Sequence, residues 1–218
     1  MADWRRILNR RDDGFPRIMG ILNITPDSFF ADSRVDSVQD AIARAEQMVN
    51  DGADWLDIGG ESTRPGAEPV NSKEELERVI PVIKAVRKSF PEVGISVDTR
   101  RSLVAHAAID AGVDMVNDVS ALSDPKMVDE ILQSDLPICI MHMQGLPENM
   151  QNNPDYGDVV AEVRQFLENT TNILLDAGVP TNKIIADPGI GFGKKLQHNT
   201  TLLAAGREIV PHAEMPLM

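Results

Sequence analysis

Two rhythms of apolar and polar residues alternate along this chain. Short apolar runs recur at 17–23, 54–58, 93–97, 114–118, 137–142 and 184–187. Continuous apolar runs of this length fit strands buried on both faces. Between them, apolar positions fall at helical spacing over 37–51, 73–89, 101–111, 124–134, 158–177 and 198–209. Ser72 followed by Glu75 reads as a capping box at the head of the second helix. Gly52 and Gly112 stand where a left-handed C-cap is cheap. Repeated strand–helix units predict a parallel sheet.

An open doubly wound sheet and a (β/α)8 TIM barrel both satisfy that rhythm. No Gly-x-Gly-x-x-Gly follows the first strand, which argues against a dinucleotide site. Polar residues recur at or just beyond the ends of many strands: Asn23, Asp57, Glu61, Asp98, Asn117, His142 and Asp187. Barrels collect their active sites from many strand ends, whereas an open sheet uses one switch point. The α/β TIM barrel is therefore the expected fold class. About six βα units are legible of the eight a barrel needs, and "EMPLM" reads like the start of a seventh strand. No linker or low-complexity segment divides residues 1–218, so a single domain lacking the last two units is expected.

Composition narrows the function classes. The formal net charge of −13 opposes nonspecific nucleic-acid or membrane-surface binding. A small anionic substrate remains compatible, provided particular residues build its site. Cys139 is the single cysteine, so no internal disulfide can form and a reducing, cytoplasmic compartment is expected. No apolar run approaches the roughly 20 residues that span a membrane. The arginine-bearing N-terminus reads as a surface arm. None of the four histidines pairs at zinc spacing.

Several stretches carry chemistry, each with a plain structural alternative. "NITPDSFFADSR" puts two phenylalanines in a loop after the first strand, where something must cover them; the loop reads as one that closes over a ligand. "GGESTRPGAE" offers Thr63 and Arg64 to a carboxylate or phosphate; alternatively, Arg64 pairs with Glu61 or Glu68. Asp98, Asn117 and Asp187 can read the N–H groups of an amino-bearing heterocycle; alternatively, Asp98 caps a helix and Asp187 opens a turn. "ADPGIGFGK" could cradle an anion on backbone N–H groups near Lys194; alternatively, it is a structural loop. His142 reads as a satisfied strand-end histidine, and Met141 and Met143 as pocket or core.

Taken together, "MGILNITPDSFFADSR", "GADWLDIGGESTRPGAEPV", "ISVDTRRSLVAHAAIDAGVDMVNDVSAL", "MHMQG" and "IIADPGIGFGKKLQHN" resemble the dihydropteroate synthase family. The segments run in family order through almost the whole chain. The resemblance implies a (β/α)8 barrel that joins 6-hydroxymethyl-7,8-dihydropterin diphosphate to 4-aminobenzoate, giving 7,8-dihydropteroate and diphosphate. It implies pterin-reading roles for Asp98, Asn117 and Asp187, with Met141 and Phe192 as pocket walls. It implies Asn23 as the contact to Mg²⁺ and diphosphate. Thr63, Arg64 and Pro65 match the mobile loop that shapes the aminobenzoate site, and Phe29 the aromatic of the first mobile loop. An acidic residue expected after that aromatic matches Ala31 or Asp32 depending on alignment.

The implied chemistry is dissociative: diphosphate leaves, Asp98 favours the developing positive charge, and the arylamine attacks. The implied partners are small molecules, with no nucleic acid and no membrane, and a homodimer is compatible with the family. The family's seventh-strand Ser-Arg-Lys and eighth-strand Arg-x-His motifs have no counterpart here, so the chain alone is expected to be nearly inactive and prone to associate. Two competing readings are a non-catalytic pterin-binding fragment and a pterin-dependent methyltransferase-type barrel; the "TPDSF" and "STRPG" loops speak against the latter.

Overall fold

The computed structural model describes residues 8–24, 34–62, 70–147 and 149–218. Strand and helix alternate throughout: β1 (Met19–Asn23), α1 (Arg34–Asn50), β2 (Trp55–Gly59), α2 (Ser72–Ser89), β3 (Gly94–Asp98), α3 (Ser102–Ala111), β4 (Met115–Asp118), α4 (Met127–Ser134), β5 (Ile138–Met141), α5 (Val159–Ala177), β6 (Ile184–Asp187) and α6 (Leu196–Ala205). Every expected element is present. The last helix is shorter than expected, because a 3-10 turn replaces it from Gly206 to Ile209.

The chain divides into two compact units, one ending at Asn117 and the other running from Asp118 to Met218. In the first, β1, β2, β3 and β4 pair side by side, all parallel. β2, "WLDIG", is buried at every position, as expected for a strand covered on both faces. Its Leu56 and Ile58 join Leu22, Ile95 and Val97 and the inward face of α2, Val79, Val82, Ile83 and Val86, in a solvent-free core. Burying one such side chain stabilises by about 1.5–3 kcal/mol.

The head of α2 differs from the capping box expected at Ser72. Asn71 is the cap, its side chain accepting from the Glu74 N–H at 3.0 Å, and Ser72 is already helical. Glu75 is fully buried and bonds to Arg101 instead of reaching back to the cap. The reason is competition: a guanidinium offers a buried carboxylate more than one amide can.

In the second unit β5 and β6 pair in parallel, with Met141 opposite Asp187. Leu217 forms a parallel bridge to Ala186, so the chain's last residues do take up strand pairing beside β6. Asp158 caps α5 through the Val160 and Ala161 N–H groups. No described helix is long and apolar enough to cross a membrane.

The amino ends of the first unit's strands are closed by ion pairs. Asp54, just before β2, accepts from Arg11 Nη2 at 2.7 Å, Arg17 Nη1 at 2.8 Å and the Ile18 N–H at 2.8 Å. The N-terminal arm is thus tied down at its described end rather than lying free. Asp114, before β4, accepts from Arg87 and from the Ile95 N–H.

Candidate active site

Asn23, Asp98 and Asn117 stand at or next to the carboxyl ends of β1, β3 and β4, and Asp57 at the centre of β2, all on one unit. Asn23, Asp98 and Asn117 each terminate or nearly terminate an apolar run, so the backbone ladder places their side chains where the core stops. Gly59 supplies the opening between them. A Cβ added there would lie 3.3 Å from Asp98 Oδ2 and 3.6 Å from Asn23 Oδ1. Two hard oxygen atoms therefore flank a stretch of bare backbone. Asp98 is not a helix cap: Arg101 occupies that position at the head of α3, with no side-chain cap bond.

Asn117 and Asp57 form a buried pair. Asn117 Nδ2 donates to Asp57 Oδ2 at 3.0 Å. That bond fixes the amide's orientation and leaves Asn117 Oδ1 as a buried acceptor with no donor of normal geometry. Asp57 Oδ1 is in the same position. Burial pushes the Asp57 carboxyl above its usual range, and the neighbouring Ser96 and Asn117 offset only part of that. A buried acceptor without a donor is costly, so such atoms at strand ends are candidates for pairing with a ligand.

Beside this cluster lies a charge network that the sequence did not reveal. Glu61 receives Arg100 Nη2 at 2.8 Å, Arg101 Nη1 at 2.8 Å and the Val70 N–H at 3.1 Å. Arg101 also bonds Glu75 and the Val70 carbonyl. Burial works against the Glu61 charge, but the donors from Arg101, Val70 and Arg100 outweigh it and hold the carboxyl below its usual range. Glu61 is therefore committed to structure and joins residues 61 and 70. Consecutive arginines after a strand-end aspartate were the available signal. Thr63, Arg64, Pro65, Phe29, Ala31 and Asp32 lie outside the described residues.

In the second unit Met141, Asp187 and Phe192 gather at the exits of β5 and β6. Asp187 Oδ1 accepts from the Gly189 N–H at 2.7 Å, so one carboxylate oxygen does open the turn. Lys194, only 3% exposed, does not face an anion cradle. Its Nζ lies 2.9 Å from His142 Nδ1 and donates to the carbonyls of Gly189 at 2.9 Å, Phe192 at 3.0 Å and His142 at 3.2 Å. Burial lowers the Lys194 amine to about 8, against the opposing pull of Asp187. Burial and the Lys194 charge together lower His142 to about 4. His142 is thus the satisfied strand-end histidine expected, stacked edge-on against Phe166.

The loop sits directly on the backbone leaving β5. A Cβ on Gly189 would fall 1.9 Å from the His142 carbonyl oxygen, and one on Gly193 would fall 2.4 Å from that of Gln144. Both glycines have positive φ, +65° and +61°.

Among the described residues no three His, Cys, Asp or Glu side chains gather as a metal-ligand cluster. Asn23 Oδ1 and Asp98 Oδ2 are nonetheless the oxygen type that a hard divalent cation takes when a substrate supplies most of its ligands.

A family model described as "Pterin binding enzyme" matches residues 19–218. The dihydropteroate synthase of Haemophilus influenzae is 47% identical over 192 residues, 88% of this chain and 70% of that protein. The Escherichia coli K12 enzyme is 45% identical over 207 residues, 95% of this chain and 73% of that protein. Among solved structures, the dihydropteroate synthase of Yersinia pestis in complex with a sulfonamide drug superposes with a TM-score of 0.86 at 42% identity, covering 95% of this chain and 74% of that one. The Xanthomonas albilineans enzyme in complex with 7,8-dihydropteroate gives a TM-score of 0.81 at 38% identity, covering 96% and 72%. The fold class is theirs, the TIM barrel.

Proposed function

The chain belongs to the pterin-binding enzymes, among the dihydropteroate synthases, and from that premise we propose that it joins 6-hydroxymethyl-7,8-dihydropterin diphosphate to 4-aminobenzoate, releasing 7,8-dihydropteroate and diphosphate. The observation that carries the reading is the buried, donor-less Asn117 Oδ1 at the end of β4, held in that orientation by Asp57. An oriented acceptor of this kind suits a ring N–H of a pterin.

Each residue then has a task. Asn117 and Asp187 accept from pterin N–H and amino groups. Met141 and Phe192 exclude water from its faces. Asp98 keeps negative charge near the methylene carbon, which gains positive charge as its bond to the diphosphate oxygen lengthens. Electrostatic stabilisation of charge that develops only in the transition state is the kind of interaction that raises turnover. The nitrogen lone pair of the arylamine forms the new C–N bond, and the amine then loses a proton. Thr63, Arg64, Pro65 and Phe29 take the roles the family gives them around aminobenzoate. Asn23 is the residue we assign to Mg²⁺, supported by its amide oxygen over Gly59. When bound there with diphosphate, the ion neutralises charge on the leaving group.

The test is calorimetry with a pterin on the wild-type chain and on Asp187→Asn. That change turns one acceptor into a donor facing donors. A hydrogen bond to a charged group contributes about 1.5–3 kcal/mol, so affinity should fall about ten- to a hundredfold. Unchanged affinity removes Asp187 from the pterin site.

A further inference from the structure

The loop after β6 is glycine-rich, yet its backbone is held at many points. Asp187 Oδ1 takes the Gly189 N–H at 2.7 Å, and Asn199 Oδ1 takes the Gly191 N–H at 2.9 Å. Gln151 Nε2 donates to the Gly191 carbonyl at 2.6 Å, and the Tyr156 hydroxyl donates to that of Gly193 at 2.8 Å. Beneath the loop lies Lys194. Its side chain leaves the loop at the far end and turns back under it. There it gathers carbonyls from the loop's start, Gly189, from its turn, Phe192, and from the residue that follows β5, His142. An ammonium has no acceptor, so His142 Nδ1 at 2.9 Å accepts too, the three N–H donors being shared among four acceptors, and the imidazole carries its proton on Nε2. None of the catalytic or binding roles of the other site residues uses this lysine.

The consequence for the site follows from connectivity. The Gly189 N–H orients the Asp187 carboxylate, and the Lys194 ammonium fixes the carbonyl of the same Gly189. The Phe192 carbonyl is fixed by that ammonium as well, and with it the backbone from which the Phe192 ring projects. One buried cation thus sets both a hydrogen-bonding group and an apolar wall. We propose that Lys194 is a positioning residue for the pterin: it does not touch the ligand, but it holds the 188–193 backbone at the height and pitch that aim Asp187 and Phe192. This rests on the reading that those two residues meet the pterin.

The experiment uses the full chain and two variants. Lys194→Met keeps the stem and removes every donor; Lys194→Gln keeps an amide that can serve part of the carbonyl set. Two quantities are read: hydrogen exchange at the Gly189, Gly191 and Phe192 amides, and pterin affinity by calorimetry. In the Met variant those amides should exchange at least about tenfold faster while exchange in β1 to β4 is unchanged, since the loss of charged hydrogen bonds is local. Pterin affinity should fall about tenfold or more, with Gln intermediate in both readouts. Unchanged exchange at the three amides overturns the proposal, and so does faster exchange with unaltered pterin affinity. If the Met variant does not fold, the Gln variant is read by the same two measurements, and the same two outcomes overturn the proposal. A wild-type chain that binds no pterin overturns the functional reading instead, and the exchange measurement still decides whether Lys194 holds the loop.

Discussion

Asp54 and Asp57 stand three residues apart, one just before β2 and the other at its centre, and they live in opposite chemical settings. At the amino end, burial opposes the Asp54 charge, but Arg11, the Ile18 N–H and Arg17 outweigh it and hold the carboxyl below its usual range. Within the strand, burial prevails over Ser96 and Asn117 and raises Asp57. Asp114, at the amino end of β4, is raised by burial too, with the Ile95 N–H and Arg87 offsetting part of it. The geometric contrast is nonetheless clear: Asp54 and Asp114 are met by guanidinium groups, while Asp57 Oδ1 and Asn117 Oδ1 have no donor of normal geometry. Asp54 and Asp114 are spent on the fold. Asp57 Oδ1 and Asn117 Oδ1 are withheld from it, and withheld acceptors are what a ligand can satisfy. This is the division of labour seen across barrel enzymes, where the carboxyl-terminal face carries chemistry and the amino-terminal face stability.

The largest effect should come from breaking the amino-end pairing. Arg87→Met leaves Asp114 buried with only the Ile95 N–H, and stranding one partner of a buried pair costs about 3–5 kcal/mol. Urea unfolding should show that loss, with pterin affinity of the folded fraction unchanged. The next comparison has opposite signs three residues apart. Asp54→Asn should cost about 1.5–3 kcal/mol, because charge-assisted bonds are lost. Asp57→Asn should stay within about 1 kcal/mol or gain stability, because it removes a charge that burial disfavours. Its loss should appear in pterin affinity, since the Asn117 amide is no longer held one way round. Equal destabilisation by both would erase the distinction between the two aspartates.

A pH titration extends the contrast to the exit of β5. His142 has a folded value of about 4 against the ordinary 6.5, so the unfolded chain takes up the proton first on acidification. The stability it allows at neutral pH is therefore lost as pH falls from 6.5 towards 4. By pH 5 the linked loss is about 2 kcal/mol, and His142→Gln should remove that part of the decline between pH 7 and pH 5. A difference profile that stays flat would mean the imidazole titrates near its ordinary value. The smallest effect on folding concerns β1, where Ile21 is 64% exposed on a strand paired only to β2 among the described residues. Ile21→Lys should change stability by less than about 0.5 kcal/mol while reducing self-association measured by light scattering, as a charge blunts an exposed strand edge.

Most of the architecture was legible because strands buried on both faces leave continuous apolar runs and βα alternation leaves little else to fit. Strand bounds fell within one or two residues of those read from the sequence. The strand-end residues Asn23, Asp98, Asn117 and Asp187 were legible for the same reason: a polar residue that closes an apolar run is conspicuous. Other features were not. The tie from Arg100 and Arg101 to Glu61, and from Arg101 to Glu75, spans from 26 to 40 residues of sequence. Nothing local distinguishes a guanidinium that will be partly buried from one in solvent. The role of Lys194 was hidden in the same way. The stretch reads either as a backbone anion cradle or as a structural loop, and only the chain's return beneath itself turns the lysine's charge onto carbonyls.

The close seating of Gly189 and Gly193 on the strand exit also constrains inheritance. Every amino acid that a single base change can substitute for glycine carries a Cβ, and at these two positions that atom would overlap a carbonyl oxygen. Point mutation therefore offers this stretch no small step. Lineages that alter the floor of the site must do so by changing the loop's length, or by substituting the neighbours whose side chains rest on it, while the two glycine codons drift only among their synonyms.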